Sequence, residues 1–548
     1  MMKPFTFIAM ILMCCKTLAQ VPPELTWTKE YSGTSYATNS QFFPVEAQSC
    51  AFDTSGRLIV AGRIYDYRPS TGLWYEYLKL IKYTTAGKVM ADVNISGAAS
   101  GIKSQKVNKI INDQNTNTVY TLSTYYYSNT NKTDIHLARY TTGLILMWEK
   151  FISGSDSSID VGVDMELDNS GNVILAGNMQ NDGTGATTGQ DIEVYKYSKT
   201  GSLLWAYSYT GTGKNTDKIN AIKIDHNQNV IGVGNTYNAA KGYQLLVFKL
   251  AKSSGSLQWQ YKYNGDSTSN AYDEANDVDV DNSNNIYVAA SIQLTGAVTK
   301  GLLLKLNAAG TSVFKKQETY LPNPQSVIFK NNAVYMAGDN LTGGFQKIKL
   351  SKFTLTGTQT FANSYSAFGG SNNYFNNMSV SNSNTIYIVG KTNNSYYFLS
   401  VENLGITLWQ HYDTPASPSD THGGTCVAID ERYGVAAGCG FKHHKNGEGE
   451  WTSNYYTPAL LRTQQYNANT NEGSILNVYP NPASDFLAVN CTAKNSVVEI
   501  ADLTGRIVLY ETFSTGTKNL NIEMLSAGVY TVTVTAGDKK YFKKFIKQ

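Results

Sequence analysis

The chain has 548 residues, more than one ordinary domain holds, so it predicts a large repeat domain or several domains. Hydrophobic residues make up 42% of it and charged residues only 16%, against about 25% charged residues in ordinary soluble domains. The formal net charge is +3, which excludes a strong field for nucleic acid or an anionic membrane surface. Asn, Ser, Thr, Gly and Tyr are abundant instead, and they favour strands joined by tight turns.

Residues 1–19 have the pattern of a secretory signal peptide. Lys3 gives a positive start, and residues 5–13 form an apolar stretch that is too short to span a bilayer. Small residues near position 19 predict cleavage between Ala19 and Gln20.

The alternative to cleavage is a lipoprotein anchored at Cys14 or Cys15. A lipobox needs a small residue directly before its cysteine, and Met13 or Cys14 stands there instead. No later stretch has 18 consecutive apolar residues, so we expect no transmembrane segment in the mature chain.

A unit of four strand-like runs recurs in the middle of the chain. One copy spans Val163–Gly211 and the next spans Ala221–Gly265. In each copy an alternating run ends at an Asp-led turn, an apolar run ends at Gly, and a later run carries Trp and Tyr. Alternation by two residues indicates strands and not helices.

The ends of the second run give eight copies along the chain, 48 to 61 residues apart. They are Gly62, Ser123, Gly177, Gly234, Ala290, Gly338, Gly390 and Gly438. A period near 50 residues with four strands per unit predicts a β-propeller. We therefore expect an all-β fold with eight blades, or seven as the alternative, because the second and sixth copies are degenerate.

The two ends of the array complement each other. Residues 25–33 look like a lone fourth run, and the last copy, Thr425–Tyr466, lacks its fourth run. An open ring would leave two unpaired strand edges, whereas an open solenoid would need polar capping units. We therefore predict a propeller over residues 20–466, closed by strand 25–33.

The repeat units resemble the bacterial β-propeller repeats of many secreted proteins, most clearly over Asp168–Gly177 and Asp225–Gly234. The resemblance implies the architecture, while the propeller fold itself hosts many functions.

A polar linker, residues 467–474, ends the repeats, and short alternating strands fill residues 475–548. This length and pattern predict a small Ig-like β-sandwich. Three motifs occur there in order; their main residues are Tyr479, Pro480, Asn481 and Pro482, then Asp502 and Gly505, then Gly528 and Tyr530.

With these motifs the segment resembles the type A (Por) C-terminal sorting domain of the type IX secretion system. The resemblance implies that the secretion machinery is a partner of the domain and that the domain is removed near the linker. It also implies that the protein is secreted or attached to the outer membrane at the surface of a Gram-negative cell.

Three aspartates, Asp277, Asp279 and Asp281, alternate on one run and are weak candidates for metal ligands. An EF-hand loop needs Gly at its sixth position and Glu at its twelfth, but Asn282 and Val288 occupy these places. A strand with one polar face explains the pattern, so we expect no metal and no other cofactor.

The mature chain contains four cysteines, and export permits disulfides. Cys426 and Cys439 lie symmetrically about the turn at Arg432, so we predict a cross-strand disulfide between them. We expect Cys50 and Cys491 to remain free or buried.

No nucleophile elbow, phosphate loop or other catalytic motif occurs, so we name no catalytic residue. Aromatic clusters at residues 65–77, 125–127 and 451–456 suit contacts with an extracellular glycan or protein if they lie in loops. We therefore predict a binding or scaffold protein; the alternative is an extracellular hydrolase or lyase acting on polysaccharide or peptide. An enzyme would gather carboxylates or histidines from several blades at one mouth of the channel.

Overall fold

A computed structural model describes most of the chain. The described residues are 24–31, 45–68, 73–95, 102–127, 132–154, 159–180, 189–212, 215–265, 271–294, 298–342, 344–366, 371–412, 421–445, 451–462, 476–479, 485–491, 496–502, 506–513, 516–536 and 539–547. All regular structure in these ranges is β-strand, and the chain divides into two compact units, Met1–Gln464 and Gln465–Gln548.

The first unit begins with β1 (Glu24–Tyr31), and four antiparallel sheets follow it. The first sheet has β2 (Val45–Phe52), β3 (Leu58–Arg68), β4 (Leu73–Tyr83) and β5 (Val89–Ile95). The second has β6 (Ile102–Asp113), β7 (Thr118–Tyr127), β8 (Thr133–Tyr140) and β9 (Leu146–Ile152). The third has β10 (Val161–Leu167), β11 (Val173–Met179), β12 (Asp191–Tyr197) and β13 (Leu203–Tyr209). The fourth has β14 (Lys218–Ile224), β15 (Val230–Asn238), β16 (Gly242–Leu250) and β17 (Leu257–Tyr263), and the short β18 (Ala271–Tyr272) pairs with β16.

Four further sheets complete this unit. The fifth has β19 (Glu274–Val280), β20 (Ile286–Leu294), β21 (Val298–Leu306) and β22 (Ser312–Glu318). The sixth has β23 (Asn323–Lys330), β24 (Ala333–Thr342), β25 (Phe345–Thr354) and β26 (Gln359–Tyr365). The seventh has β27 (Asn373–Val380), β28 (Ile386–Thr392), β29 (Ser395–Val401) and β30 (Thr407–Tyr412). The eighth has β31 (Thr421–Asp430), β32 (Val435–Lys445) and β33 (Trp451–Arg462), and β1 pairs with β33 as its outer strand.

The first unit is a β-propeller. The inner strand of each sheet contacts the inner strand of the next, from β2 through β6, β10, β14, β19, β23 and β27 to β31, and β31 contacts β2 again. Hydrophobic cores lie between neighbouring sheets; one of them joins Val233 and Val247 to Val288 and Leu304, all four of which are fully buried. Each sheet therefore covers the apolar face of the next around a ring.

Every inner strand carries a β-bulge at the same place, opposite the second strand of its sheet. A Cβ atom on Gly234 would lie 1.9 Å from the carbonyl oxygen of Lys218, and one on Gly390 would lie 2.0 Å from that of Tyr374. The recurring glycine therefore gives room to the bulged backbone. In the eighth sheet the glycine opposite the bulge is Gly440 and not the predicted Gly438, because the bulge lies between Gly424 and Cys426.

A buried ion pair recurs at the end of the inner strands. Lys196 lies 2.8 Å from Asp168 in the third sheet, and Lys249 lies 2.7 Å from Asp225 in the fourth. Each lysine also donates to a carbonyl of the following sheet. Trp205 donates to that same carbonyl, the one of Lys252, at 3.1 Å. The recurring geometry thus joins the third sheet to the fourth and the fourth to the fifth through charge-assisted hydrogen bonds.

The second unit contains two antiparallel sheets. One has β34 (Leu476–Tyr479), β35 (Phe486–Cys491) and β38 (Gly516–Asn521). The other has β36 (Ser496–Ala501), β37 (Ile507–Phe513), β39 (Gly528–Ala536) and β40 (Lys539–Lys547). Both sheets contribute to one apolar core, for example Val489 and Leu520 from the first and Ile500 and Val532 from the second.

Candidate functional site

In three sheets the residue after the bulge directs its side chain across the gap to the next inner strand. Asp164 accepts a hydrogen bond from the backbone N–H of Ile222 at 2.9 Å, and Asp277 accepts one from that of Val327 at 2.8 Å. Ser49 does the same for Ile110 with its hydroxyl oxygen at 3.0 Å. In these sheets the side chain therefore has a structural role, because it satisfies a buried backbone N–H group of the neighbouring sheet.

The three aspartates considered as metal ligands have separate partners. Asp279 accepts from the N–H of Phe329 at 2.8 Å in the sixth sheet, as Asp277 does from Val327. Asp281 instead closes its own turn, where it accepts from the N–H groups of Ser283 and Asn285. Among the residues that the structure describes, these three do not form a cluster that could hold a metal ion.

Charged side chains of four consecutive inner strands form a row of alternating sign that follows the strands around the ring. Lys109 on β6 lies 2.7 Å from Asp164 and 3.3 Å from Glu166 on β10. Lys223 on β14 lies 3.2 Å from Asp279 on β19. We call these five residues the channel row. Sequence analysis missed its two lysines, although each alternates with apolar neighbours on a predicted inner run.

The carboxylates of the channel row shift the pKa values of its two lysines. Burial alone would lower the pKa of Lys109, but the carboxylates of Asp164 and Glu166 raise it well above its usual range. The carboxylate of Asp279 raises the pKa of Lys223 in the same way. Beside the row, burial raises the pKa of Asp277 to about 7, although two backbone N–H groups oppose this shift.

A cavity of about 700 Å³ opens where the inner strands of the fourth to seventh sheets end. Lys223 and Asp279 lie at its inner side, where it meets the channel row. The other polar lining residues are Lys330 and Ser379 on β23 and β27 and, in the turns that follow these strands, His226, Asn282, Asn331, Asn332 and Asn382. We call this cavity the mouth pocket. Its amides, lysines and imidazole offer hydrogen-bond donors and acceptors to a polar ligand.

Turn-to-turn hydrogen bonds build the rim of the ring around this pocket. Asn284 accepts from the backbone N–H of His226 at 2.8 Å, and Gln228 accepts from that of Asn169 at 2.8 Å. Both acceptors have positive φ angles, 61° and 70°, and so sit in the left-handed region. These hydrogen bonds therefore hold neighbouring turns together, so the wall of the pocket is formed before a ligand binds.

The predicted aromatic clusters lie largely within strands. Residues 65–67 and 73–77 belong to the paired strands β3 and β4, and residues 451–456 belong to β33. Tyr125–Tyr127 end β7, where Tyr125 is fully buried and Tyr127 donates to Asp134. The placement of these clusters in loops was therefore wrong: residues 125–127 pair with β8 and Tyr125 packs in the core.

Cys426 and Cys439 stand directly opposite each other on β31 and β32, as the predicted pairing about Arg432 requires. Both are buried free thiols in the structure, and so is Cys50 on β2. The cross-strand disulfide stays a prediction.

The sorting motifs are partly described. Tyr479 ends β34, whereas Pro480, Asn481, Pro482 and Gly505 lie outside the described residues, as do Ala19, Gln20 and the linker 467–474.

In the central motif, Asp502 accepts hydrogen bonds from the backbone N–H and from Nε of Arg506, both at 3.1 Å. The carboxylate therefore closes this turn in the manner of an Asx-turn. Gly528 begins β39, and Tyr530 stacks on Phe545 and donates to the carbonyl of Ser526 at 2.9 Å.

Comparison with protein families explains the second unit. Residues 477–548 match the family described as the secretion system C-terminal sorting domain. The chain therefore carries a type IX sorting tail, and the protein is secreted or displayed at the cell surface of a Gram-negative bacterium. A comparison with curated protein sequences found no match.

Solved structures of several propeller proteins are similar to the chain at low identity. PorZ of Porphyromonas gingivalis, described as an essential bacterial surface component of the type IX secretion system, is 13% identical, with 94% of this chain and 82% of that chain covered and a TM-score of 0.33. Periplasmic gluconolactonase PpgL of Pseudomonas aeruginosa is 10% identical, with coverages of 71% and 95% and a TM-score of 0.38. The propeller domain of the Trilobed protease of Pyrococcus furiosus is 8% identical, with coverages of 64% and 93% and a TM-score of 0.37.

Within the described part of the chain, no helix has the length and apolar character that crossing a membrane requires.

Proposed function

We propose that the protein is a surface or secreted binding propeller of eight blades, which holds an extracellular glycan in the mouth pocket. The observation that carries this proposal is the convergence of amide and lysine side chains from four consecutive sheets on one cavity. Sugars present dense hydroxyl groups, and amides both donate to and accept from them. The unbroken sequence of inner-strand contacts supports the count of eight.

The pocket offers a matched pair of variants. Asn282 and Asn382 occupy the same position in the turns of the fifth and seventh sheets, and both line the pocket. Asn169 holds that position in the third sheet and does not line it. Substituting all three positions with Ala therefore tests equivalent turns inside and outside the site.

The experiment is a screen of the full mature protein against glycans of the host surface, followed by titration of each hit. We expect the double variant Asn282→Ala, Asn382→Ala to lose at least about tenfold in affinity, or about 1.4 kcal/mol, and Asn169→Ala to bind as wild type does. Equal binding by all three proteins would place the ligand elsewhere, and the proposed site would be wrong.

A hydrolase that acts in the channel is the second candidate. Its support is Asp277, whose burial raises its pKa to about 7, a value suited to a general acid. Release of reducing ends or peptides from surface polymers, abolished by Asp277→Asn, would establish this activity. Binding without turnover would leave the glycan-binding function as stated.

We further propose the order of processing. The signal peptide 1–19 is removed before Gln20, the propeller comprises residues 20–466, and the sorting domain 475–548 is cut off near the linker 467–474. Intact masses of the protein from whole cells and from culture medium test this order. A full-length form retained inside the cell would contradict it.

A further inference from the structure

The junction between the eighth and first sheets joins the two ends of the propeller, and we call it the seam. Cys426 on β31 and Cys439 on β32 lie on its eighth-sheet side, and Cys50 on β2 lies on its first-sheet side. All three are buried, and their sulfur atoms lie within 4.8 Å of one another. In the part of the chain that the structure describes, this is the single group of three potential metal-ligating side chains.

The repeat explains why these sulfurs meet. Cys426 follows the bulge of its inner strand, at the position from which Asp164 and Asp277 reach across to the next sheet. Cys50 holds the position that those side chains reach, which is Ile222 in the fourth sheet and Val327 in the sixth. The seam therefore brings together the same two positions of the repeat, but here both carry thiols, whose sulfur atoms meet.

We propose that Cys50, Cys426 and Cys439 bind a soft, thiophilic metal ion, zinc(II) or copper(I), at the seam of the propeller. Cysteine sulfurs select these two ions over harder cations. A zinc–sulfur bond of about 2.3 Å places two sulfurs of one tetrahedral ion about 3.8 Å apart. The separations within this cluster have room for such an ion.

The number of thiols distinguishes a metal site from a disulfide. A disulfide joins two of the three sulfurs and leaves the third beside it as a competing nucleophile. A metal ion uses all three, and each sulfur that binds as thiolate releases one proton. The structure thus accounts for Cys50, which the predicted bond between Cys426 and Cys439 does not use.

The surroundings suit a site of low charge. The cluster lies in an apolar core with Phe52, Ile81 and Val435, and such a core penalises thiolates without a counter-ion. A bound cation would supply that counter-ion.

Polar groups also support the site from its second coordination sphere. The Thr425 hydroxyl oxygen lies 2.6 Å from the carbonyl oxygen of Ala47 on β2 and 3.1 Å from that of Cys439 on β32. It also lies 3.9 Å from the sulfur of Cys426. Such outer-sphere contacts hold metal ligands in place, and this one spans the same seam as the thiols.

The location gives the ion a structural role. Its ligands come from residues more than 370 positions apart, so the site exists only after the last sheet has met the first. The free energy of metal binding then adds to that of ring closure. Loss of the metal would weaken the seam more than any other junction.

The test uses the full mature chain purified without reducing agent, with elemental analysis, intact mass and thiol counting on the same sample. We expect about one equivalent of zinc or copper per chain, and the element found identifies the ion. Protein purified without metal that takes up one equivalent of added zinc(II) or copper(I) gives the same support.

Two results would overturn the proposal. One is a metal-free chain lighter by two hydrogens, with a disulfide within the cluster; this result would instead establish a disulfide such as the predicted one. The other is a metal-free chain with free thiols that takes up neither ion.

Variants place the metal on the cluster. Cys50→Ser should lose it and lower the midpoint of thermal unfolding of the propeller, whereas Cys491→Ser, which changes the mature cysteine of the second unit, should retain it. If Cys50→Ser does not fold, Cys50→Ala takes its place in the test. The metal content of wild type and of Cys491→Ser then still shows whether the chain binds metal without Cys491. A Cys50 variant that folds and keeps the full equivalent of metal would also contradict the proposal.

Discussion

Two junctions of the ring differ in how they are held. Between the third and fourth sheets, Asp164 reaches across to the next inner strand, and the ion pair between Lys196 and Asp168 lies at the end of its own inner strand. Trp205 of the outer strand adds a hydrogen bond to the fourth sheet. The ion pair recurs in the fourth sheet. Between the eighth and first sheets, the crossing residue is Cys426, and Arg432 takes the place of the repeating lysine. The regular junction joins neighbours in sequence, whereas the seam must join chain ends.

The seam is therefore held by other contacts than the junction between the third and fourth sheets. At the seam, Arg432 binds Asp430 with two hydrogen bonds and donates a third, at 2.6 Å, to the carbonyl oxygen of Asp53 in the first sheet. β1 adds its backbone pairing with β33 on the outside. Backbone pairing, the arginine and the cysteine cluster together replace the repeated lysine–aspartate set.

The largest expected loss of stability comes from removing one partner of a buried ion pair at a regular junction. Asp225→Asn leaves Lys249 buried without its counter-ion, since these side chains are only 1% and 6% exposed. We expect a loss of about 3 kcal/mol in the free energy of unfolding, measured by urea denaturation. As a control, Glu431→Gln removes the ion pair with Lys330, whose two side chains are 27% and 28% exposed, and should cost under about 1 kcal/mol. Equal losses in both variants would refute the special importance of the buried pairs.

A smaller effect is expected where a turn of one sheet lies under the aromatic ring of its neighbour. Gly255 has a φ angle of 68°, and a Cβ there would come within 2.5 Å of the Trp205 ring. Gly255→Ala should cost about 2 kcal/mol, from backbone strain and the contact combined.

Gly344 gives the matched control for this substitution. Its φ angle is 82°, but a Cβ there would meet no atom within 4 Å. Gly344→Ala should therefore show only the backbone cost, about 1 kcal/mol. The difference between the two urea midpoints measures the contribution of the ring contact, and identical midpoints would mean that Trp205 moves aside freely.

A smaller loss of stability is expected when Arg432 at the seam is substituted. Arg432→Lys keeps the charge but loses the forked contact with Asp430 and the bond to Asp53. Because this side chain is 42% exposed, we expect a loss of only about 1 kcal/mol. Faster proteolysis next to the seam than at the third sheet would locate the weakened joint, and a uniform pattern would argue against a separate seam.

The last expected effect is a pH dependence at Asp277. Its pKa is raised to about 7 in the folded state, so its contribution to stability is complete below the pKa of the unfolded chain and is lost as the pH rises to about 7. Asp277→Asn mimics the protonated form, so wild type and variant should have matching stability below about pH 4. The variant should become relatively more stable as the pH rises from there to about 7. A pH-independent difference would show that the carboxyl does not titrate in this range.

Much of the fold was predictable from local pattern. Alternating runs such as β19, the Asp-led turn at Asp281 and the second-run glycines mark strands and turns, because these residues act on their own neighbours. The complementary ends at residues 25–33 and 425–466 predicted the pairing that β1 and β33 make. The sorting motifs were recognisable for a similar reason, since they lie close together in a short segment.

The candidate site was less accessible to such reasoning. Lys109, Asp164, Lys223 and Asp279 come from four repeats, and each reads in sequence as an ordinary polar position of a strand. The loop role given to residues 125–127 was wrong because strand β7 extends further than the local turn signal indicated.

The sequence by itself determined the strands, their turns, the repeat and the sorting tail, because hydrophobic alternation and turn chemistry act over a few residues. Only the tertiary structure decided that Gly440 faces the last bulge, that charges of four sheets line one channel, and that Cys50 meets Cys426 and Cys439. The contacts between sheets join residues from 55 to 389 positions apart. They depend on the closure of the ring, which no local pattern specifies.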